Sequence, residues 1–237
     1  MTLRLRQICL VAPSLEPATG TLCHALETRV FYRDPNVAKY GLENAVMPIG
    51  NTFLEVVAPT QDGTAAGRYL TRRNGMGGYM IILDTDDIAP WIGHVASVGV
   101  RVAADLDYPD AYRGLQLHPR DTGGCLLEIN WSQGAEQGAY HPAGPDWCGG
   151  PAMPAIVGAT VQSDDPAALA ARWSVILQRP ARNNAIALDR GTIHFTKSTD
   201  GRGEGLSGID IRKPPGRELT PSDTTLALCG VAIRIVA

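Results

Sequence analysis

Aromatic residues are scarce in this chain, 6% of 237, and charged residues amount to only 19%. There is no basic excess. Lys and Arg number 21 against 24 Asp and Glu, for a net charge of −3, so the electrostatic footprint of a nucleic-acid binder is missing. Long apolar runs are missing too. None approaches the about 18 residues that a membrane span needs, and the run from Ile8 to Ala12 behind Arg4 and Arg6 is too short for a signal-peptide core. The five cysteines (Cys9, Cys23, Cys125, Cys148 and Cys229) contain no Cys-x-x-Cys spacing. That argues against a structural zinc site or a disulfide framework. Cys9, Cys125 and Cys229 sit in apolar runs and read as small buried hydrophobes. What the chain has instead is glycine (26), proline (17) and a 44% hydrophobic share. Those values suit many short strands joined by turns around a real core. The expectation is a soluble cytoplasmic protein acting on a small molecule, monomer or homodimer, with no nucleic-acid or membrane partner.

An internal repeat organises the rest. Gly50 to Val57 and Gly123 to Asn130 both read as a glycine-led strand with Glu at the same place, at an offset of 73 residues. The same offset carries Gln7–Val11 onto Met80–Asp84, a second apolar strand behind the glycine-rich turn of Gly75, Gly77 and Gly78. Repeats of this length mark stacked supersecondary units. In the second unit a strand at Tyr79–Asp84 leads to a helix through Trp91, Ile92, Val95 and Val98 at 3-to-4-residue apolar spacing, ended by Gly99. Strands at Val100–Ala103, Leu115–His118 and Cys125–Trp131 follow, so the unit is βαβββ. The first unit reads alike, with a strand at Leu5–Ala12, a helix from Glu16 to Leu26 and a last strand at Phe53–Ala58. After a Gly- and Pro-rich stretch a third unit begins, aligning Ile8 with Val157. Its helix is opened by Asp164 or Asp165 and Pro166. A fourth, shortened unit runs from Gly208, with Arg234 where Glu128 stands in the second. The expected division is residues 1–132, a linker at 133–154, and residues 155–237.

Four tandem βαβββ units, together with Gly50-Asn51-Thr52, Leu54-Glu55, Gly77-Gly78 and the string His118-Pro119-Arg120-Asp121-Thr122-Gly123-Gly124 through Leu127-Glu128, resemble the vicinal-oxygen-chelate superfamily. Within it the resemblance is to glyoxalase-like proteins and methylmalonyl-CoA epimerases. It covers about residues 5 to 131 by motif, and the remainder by pattern only. It implies an α+β fold of the glyoxalase–bleomycin resistance–dioxygenase type: two paired-unit domains with curved mixed sheets. It also implies a divalent metal (Mn, Mg, Ni or Zn) inside the first cup, with Gln7, Glu55 and Glu128 as ligands. The remaining ligand position holds Met80, a soft thioether where the epimerases place His, so the implied ion is weakly held or absent.

Alternate residues of a strand face the same way, so single residues from four strands can converge on one point. Glu55 and Glu128 sit in otherwise apolar strands, where an unpaired buried carboxylate is costly, and they are the candidate acid and base. Met80, His118 and Arg120 are candidate substrate contacts. His118 is expected at the rim, on a hairpin pairing His118 with Gly124 and Gly114 with Glu128, or else as a residue capping its own turn. His24, His94 and His141 read as surface or loop residues. His194 lines a second cup that has Ile156 at the Gln7 position and Arg234 at that of Glu128, and so lacks the paired carboxylates. Two functions follow. One is proton transfer next to a carbonyl of a small oxygenated compound (carbonyl, hydroxy acid or thioester), as an epimerase, isomerase or glyoxalase-like lyase. The other is non-catalytic sequestration of a small molecule, as in drug-resistance proteins. An extradiol dioxygenase needs two His and a carboxylate on iron, and the tracked positions hold no His.

Overall fold

The computed structural model describes residues 2–149, 155–212 and 225–236. The end of the expected linker (150–154) and the stretch 213–224 of the fourth unit lie outside the described residues. The first half comprises β1 (Arg4–Val11), α1 (Leu15–Leu26), β2 (Leu42–Ile49), β3 (Thr52–Pro59), α2 (Ala65–Arg72), β4 (Gly77–Asp84), α3 (Ala89–Ser97), β5 (Val102–Tyr108), β6 (Tyr112–Leu117), α4 (Pro119–Thr122) and β7 (Leu126–Ser132). The second half comprises β8 (Ile156–Ser163), α5 (Pro166–Leu177), β9 (Ala181–Arg182), β10 (Ala185–Ala187), β11 (Thr192–Lys197), β12 (Gly205–Arg212), β13 (Thr225–Leu228) and β14 (Val231–Val236).

These elements make two mixed seven-stranded sheets with matching strand orders, β2-β3-β1-β4-β7-β6-β5 and β13-β14-β12-β8-β11-β10-β9. In each, the first strands of two units run antiparallel at the centre, and each is flanked by the parallel last strand of its own unit. The register makes the 73-residue offset a pseudo-twofold axis. Cys9 pairs with Glu55 as Ile82 pairs with Glu128, and across the axis Gln7 pairs with Ile82 and Cys9 with Met80.

Residue alternation decides what each face meets. Ile8, Leu10, Leu54, Val56, Ile81, Leu83, Leu127 and Ile129 point to one face and join a single apolar cluster with α1, α3, α5 and the second sheet. The opposite face carries Gln7, Cys9, Glu55, Val57, Met80 and Ile82, and it is the concave side. The helices that follow the first strands of the first and third units are seen. Asp165 caps α5 by accepting from Ala168 N at 2.9 Å, with Pro166 in the first turn, and α1 begins at Leu15.

Two alignments slip by two residues. Gln116 faces Glu128 and Gly114 faces Asn130, because residues 119–122 form a helical turn rather than an open hairpin loop. In the third unit Gly158, rather than Ile156, stands at the Gln7 position: Gly158 pairs with Asp210, and Asp210 with Arg234, as Gln7 pairs with Ile82 and Ile82 with Glu128.

Candidate active site

The concave face of the first sheet opens on a cavity of about 1020 Å³. Gln7, Glu55, Met80, His118, Arg120 and Glu128 all line it. Glu55 and Glu128 are 8% and 3% exposed, and neither stands unpartnered. Glu55 accepts from Gln7 Nε2 through Oε2 and from Asn44 Nδ2 through Oε1, both at 2.7 Å. The Cys9 thiol lies near enough to act on it, and its Sγ donates to the Leu10 carbonyl at 3.5 Å. Glu128 Oε1 accepts from Tyr112 Oη at 2.5 Å and Asn130 Nδ2 at 2.9 Å, and its Oε2 accepts from Gln116 Nε2 at 2.9 Å.

Burial pushes the Glu55 carboxyl above the usual carboxylate range. The donors on Asn44, Cys9 and Gln7 pull it back, and the Glu128 charge adds to the rise. Burial, then the charges of Glu55 and Glu128, also raises the Cys9 thiol, which stays protonated and donates. Tyr112 is raised by burial and by Glu128, so its hydroxyl keeps the proton that it shares. The tyrosine reaches Glu128 because Gly114 lies between them: a Cβ there would stand 2.6 Å from Tyr112 Oη.

Sequence reasoning missed this ring of neutral donors: Cys9, Asn44, Tyr112, Gln116 and Asn130. It also missed α2, whose N-cap Thr64 accepts from Gly67 N at 3.0 Å and which carries Arg68, Tyr69 and Arg72 to the mouth. His141, set aside as a loop residue, lines the cavity and stacks on Tyr112 with ring centroids 5.1 Å apart; burial lowers its pKa. His118 stands in the cavity wall, and its Nδ1 caps α4 by accepting from Arg120 N at 3.2 Å. Within residues 133–149, Tyr140 stacks on Phe53 with ring centroids 4.9 Å apart, and His141 and Pro142 line the cavity.

The second cup is neutralised from within. Asp210 accepts from Arg234 Nε at 2.5 Å, and Arg234 also donates to Thr160 Oγ1 at 2.7 Å. His194 Nε2 lies 4.0 Å from Asp210. Glycines occupy two of the four positions corresponding to those in the first cup, Gly158 and Gly208.

No family model matches the chain. The ethylmalonyl-CoA/methylmalonyl-CoA epimerase of Cereibacter sphaeroides is 25% identical over 129 residues, 53% of this chain and 96% of that protein. The human mitochondrial methylmalonyl-CoA epimerase is 23% identical over 128 residues, 53% of this chain and 72% of that protein. Among solved structures, a Streptomyces coelicolor methylmalonyl-CoA epimerase in complex with 2-nitronate-propionyl-CoA is similar with a TM-score of 0.50 at 24% identity. It covers 56% of this chain and 99% of its own. A hypothetical protein from Staphylococcus aureus matches the whole length, with a TM-score of 0.70 at 13% identity, covering 100% of this chain and 99% of its own. The fold is that of the vicinal-oxygen-chelate superfamily.

This fold raises the question of a divalent ion, and the donor set here does not suit one. Of the four positions, Met80 offers a thioether, a poor ligand for hard ions. Gln7 turns its Nε2 rather than its oxygen to Glu55, and a flipped amide would set oxygen against the carboxylate. Both carboxylates are already satisfied by neutral donors. Gln7 Oε1 is left buried without a partner, a single hard donor free for a ligand hydroxyl. Among the described residues no three His, Cys, Asp or Glu side chains gather in a metal-holding group.

Proposed function

We propose that the first cup moves a proton on a carbon next to a carbonyl, as an epimerase or isomerase of a small oxygenated compound, with Glu55 and Glu128 as its acid–base pair. The observation that carries this is their placement: two buried carboxylates, set at equivalent registers of a pseudo-twofold sheet, face one cavity. An ionised carboxylate takes the proton from the α-carbon, and the C–H electrons move to the carbonyl oxygen as an enolate. The opposite carboxyl, protonated, returns a proton to the other face. A carboxyl whose pKa is raised by burial, as at Glu55, suits the protonated role near neutral pH. The names of the relatives make acyl-CoA thioesters the first compounds to try. The test incubates the protein with methylmalonyl-CoA and ethylmalonyl-CoA in D2O and follows the α-proton by NMR. Exchange catalysed by the protein, and lost when Glu55 and Glu128 are both replaced by Gln, supports the reading. No exchange above the buffer rate with these or other α-branched thioesters contradicts it.

The second reading is a sequestering protein. It is favoured by the completeness of the hydrogen bonding around both carboxylates, which leaves the cup satisfied at rest. Saturable binding without exchange in the same experiment selects it.

A further inference from the structure

The mouth of the first cup is where the two halves of the chain meet, and the meeting is made by arginines. Arg73, just past α2, is 1% exposed. Its Nη1 donates to the carbonyls of Arg202, Gly203 and Glu204 at 2.7, 2.6 and 2.8 Å. In return Arg202 donates from Nε to the Arg73 carbonyl at 2.8 Å and from Nη2 to that of Met76 at 2.6 Å. Glycine from each half makes the room. A Cβ at Gly205 would stand 2.7 Å from Arg73 Cζ, and one at Gly77 2.9 Å from Arg202 Nη2.

This clasp leaves charge and donors unanswered. Nε and Nη2 of Arg73 are buried without a partner, which is costly for a guanidinium. Lys39, Arg68, Arg72, Arg120 and Arg202 line the same cavity. Among the described residues none of these five is in an ion pair, whereas Arg4, Arg33, Arg101, Arg113, Arg179 and Arg234 all are. Asp200 offsets part of the Arg73 and Arg202 charge without forming an ion pair, and both neighbouring carboxylates carry other hydrogen bonds. Asp200 accepts from Gln162 Nε2 at 2.6 Å and Arg202 N at 2.9 Å, and Glu204 accepts from Ser163 Oγ at 2.7 Å and Gly124 N at 3.1 Å. In a chain of net charge −3, Arg72, Arg73 and Arg202 stand close enough to Tyr69 to act on it together, and cations so placed repel one another and attract an anion.

We propose that this seam binds an anionic group, carboxylate or phosphate, carried by the ligand of the cup. Arg72 is its principal contact, Arg202, whose nitrogens already donate to the Arg73, Gly230 and Met76 carbonyls, adds its charge, and Arg73 holds the two halves in place around it. Planar guanidinium forks match both kinds of oxyanion. That the anion and the reacting carbonyl belong to one molecule rests on the proton-transfer reading; the anion site itself does not. Nor is the site one that the single-half relatives can share: Arg73 and Arg202 stand 129 positions apart, too far for a 129-residue match to contain both.

The test titrates the full chain with sodium pyrophosphate and, separately, with tricarballylate, by calorimetry and thermal unfolding, against sodium chloride at matched ionic strength. The expected result is saturable binding and a raised Tm with at least one of them, and the stronger arm names the oxyanion. Arg72→Gln and Arg202→Gln should each weaken binding about tenfold, as loss of a charge-assisted contact does. Arg72 is exposed and stacks only on the Tyr69 ring, at 5.1 Å, so its loss does not threaten the fold. Glu55→Gln, deep in the cup, should bind these anions as the unaltered chain does. If that variant loses epimer interconversion but keeps anion binding, the seam and the carboxylates are separate parts. If proton exchange is absent from the unaltered chain while the anions bind, only the carboxylate reading fails. Absence of saturable binding by both anions, or binding by Arg72→Gln and Arg202→Gln as tight as by the unaltered chain, overturns the site.

Discussion

Glu55 carries its proton to higher pH in the folded chain than in the unfolded one, because burial disfavours its charge more than Asn44, Cys9 and Gln7 stabilise it. The consequence for stability has a definite sign. Between the usual carboxylate pKa and the raised folded value, the folded state binds more protons than the unfolded state, so this group's contribution falls as pH rises. It is fully present below the unfolded pKa and lost as pH passes through the folded one. Urea denaturation of the protein and of Glu55→Gln across pH 4 to 8, an interval of about four units around carboxylate titration, should show that decline only in the protein with Glu55. A parallel pair of curves would mean that Glu55 ionises normally. Met80 gives a second residue-scale test. Met80→His supplies the borderline nitrogen that the thioether cannot, so calorimetry with Ni or Mn should show a gain in affinity over the unaltered chain. No gain would mean that the amide and hydroxyl donors on Glu55 and Glu128 do not yield to an ion. The two buried carboxylates of the cup were legible where a Glu interrupted an apolar strand. The donors around them were not, because Asn44, Gln116 and Tyr112 come from neighbouring strands whose pairing no local pattern states.

At the scale of elements, the strands that open and close each unit were readable, since alternation and glycine-led starts are local signals. The β6–β7 register was not. Placing the turn of α4 shifts every partner by two, and the hydrogen bond from Arg120 N to His118 that makes the turn is a side-chain choice. Helix α2 escaped notice because it is short and glycine follows it closely; its one clear sign was Thr64 as N-cap. Thr64→Ala should cost about 1 kcal/mol in chemical denaturation, the usual loss for a cap, and a change below a few tenths would show that α2 is held by packing alone. Gly114→Ala tests how β6 aims Tyr112. Its Cβ would collide with the phenol, so the cost is about 1–3 kcal/mol by overpacking, with disturbance of the Tyr112–Glu128 contact. A crystal structure of that variant with the hydrogen bond intact would contradict this account.

The whole molecule is one unit used four times with unequal chemistry. The 73-residue offset foretold the axis of the first sheet, and the register made Glu55 and Glu128 its equivalents. The second sheet repeats the topology but commits its central charges to the Asp210–Arg234 pair, and among the described residues that cup holds no free carboxylate pair. Its contribution to the first cup, through Arg202 and Glu204 at the mouth, was invisible to any reading of local sequence, because the contact joins residues about half the chain apart. The central claim is that two carboxylates act on opposite faces of one carbon. The direct measurement is α-proton exchange in D2O from each separate epimer of methylmalonyl-CoA, using Glu55→Gln and Glu128→Gln singly. Each variant should lose interconversion yet still exchange the proton of one epimer, and the favoured epimer should be opposite in the two. If either variant interconverts the epimers, or if both exchange the same epimer, the two-carboxylate account is wrong.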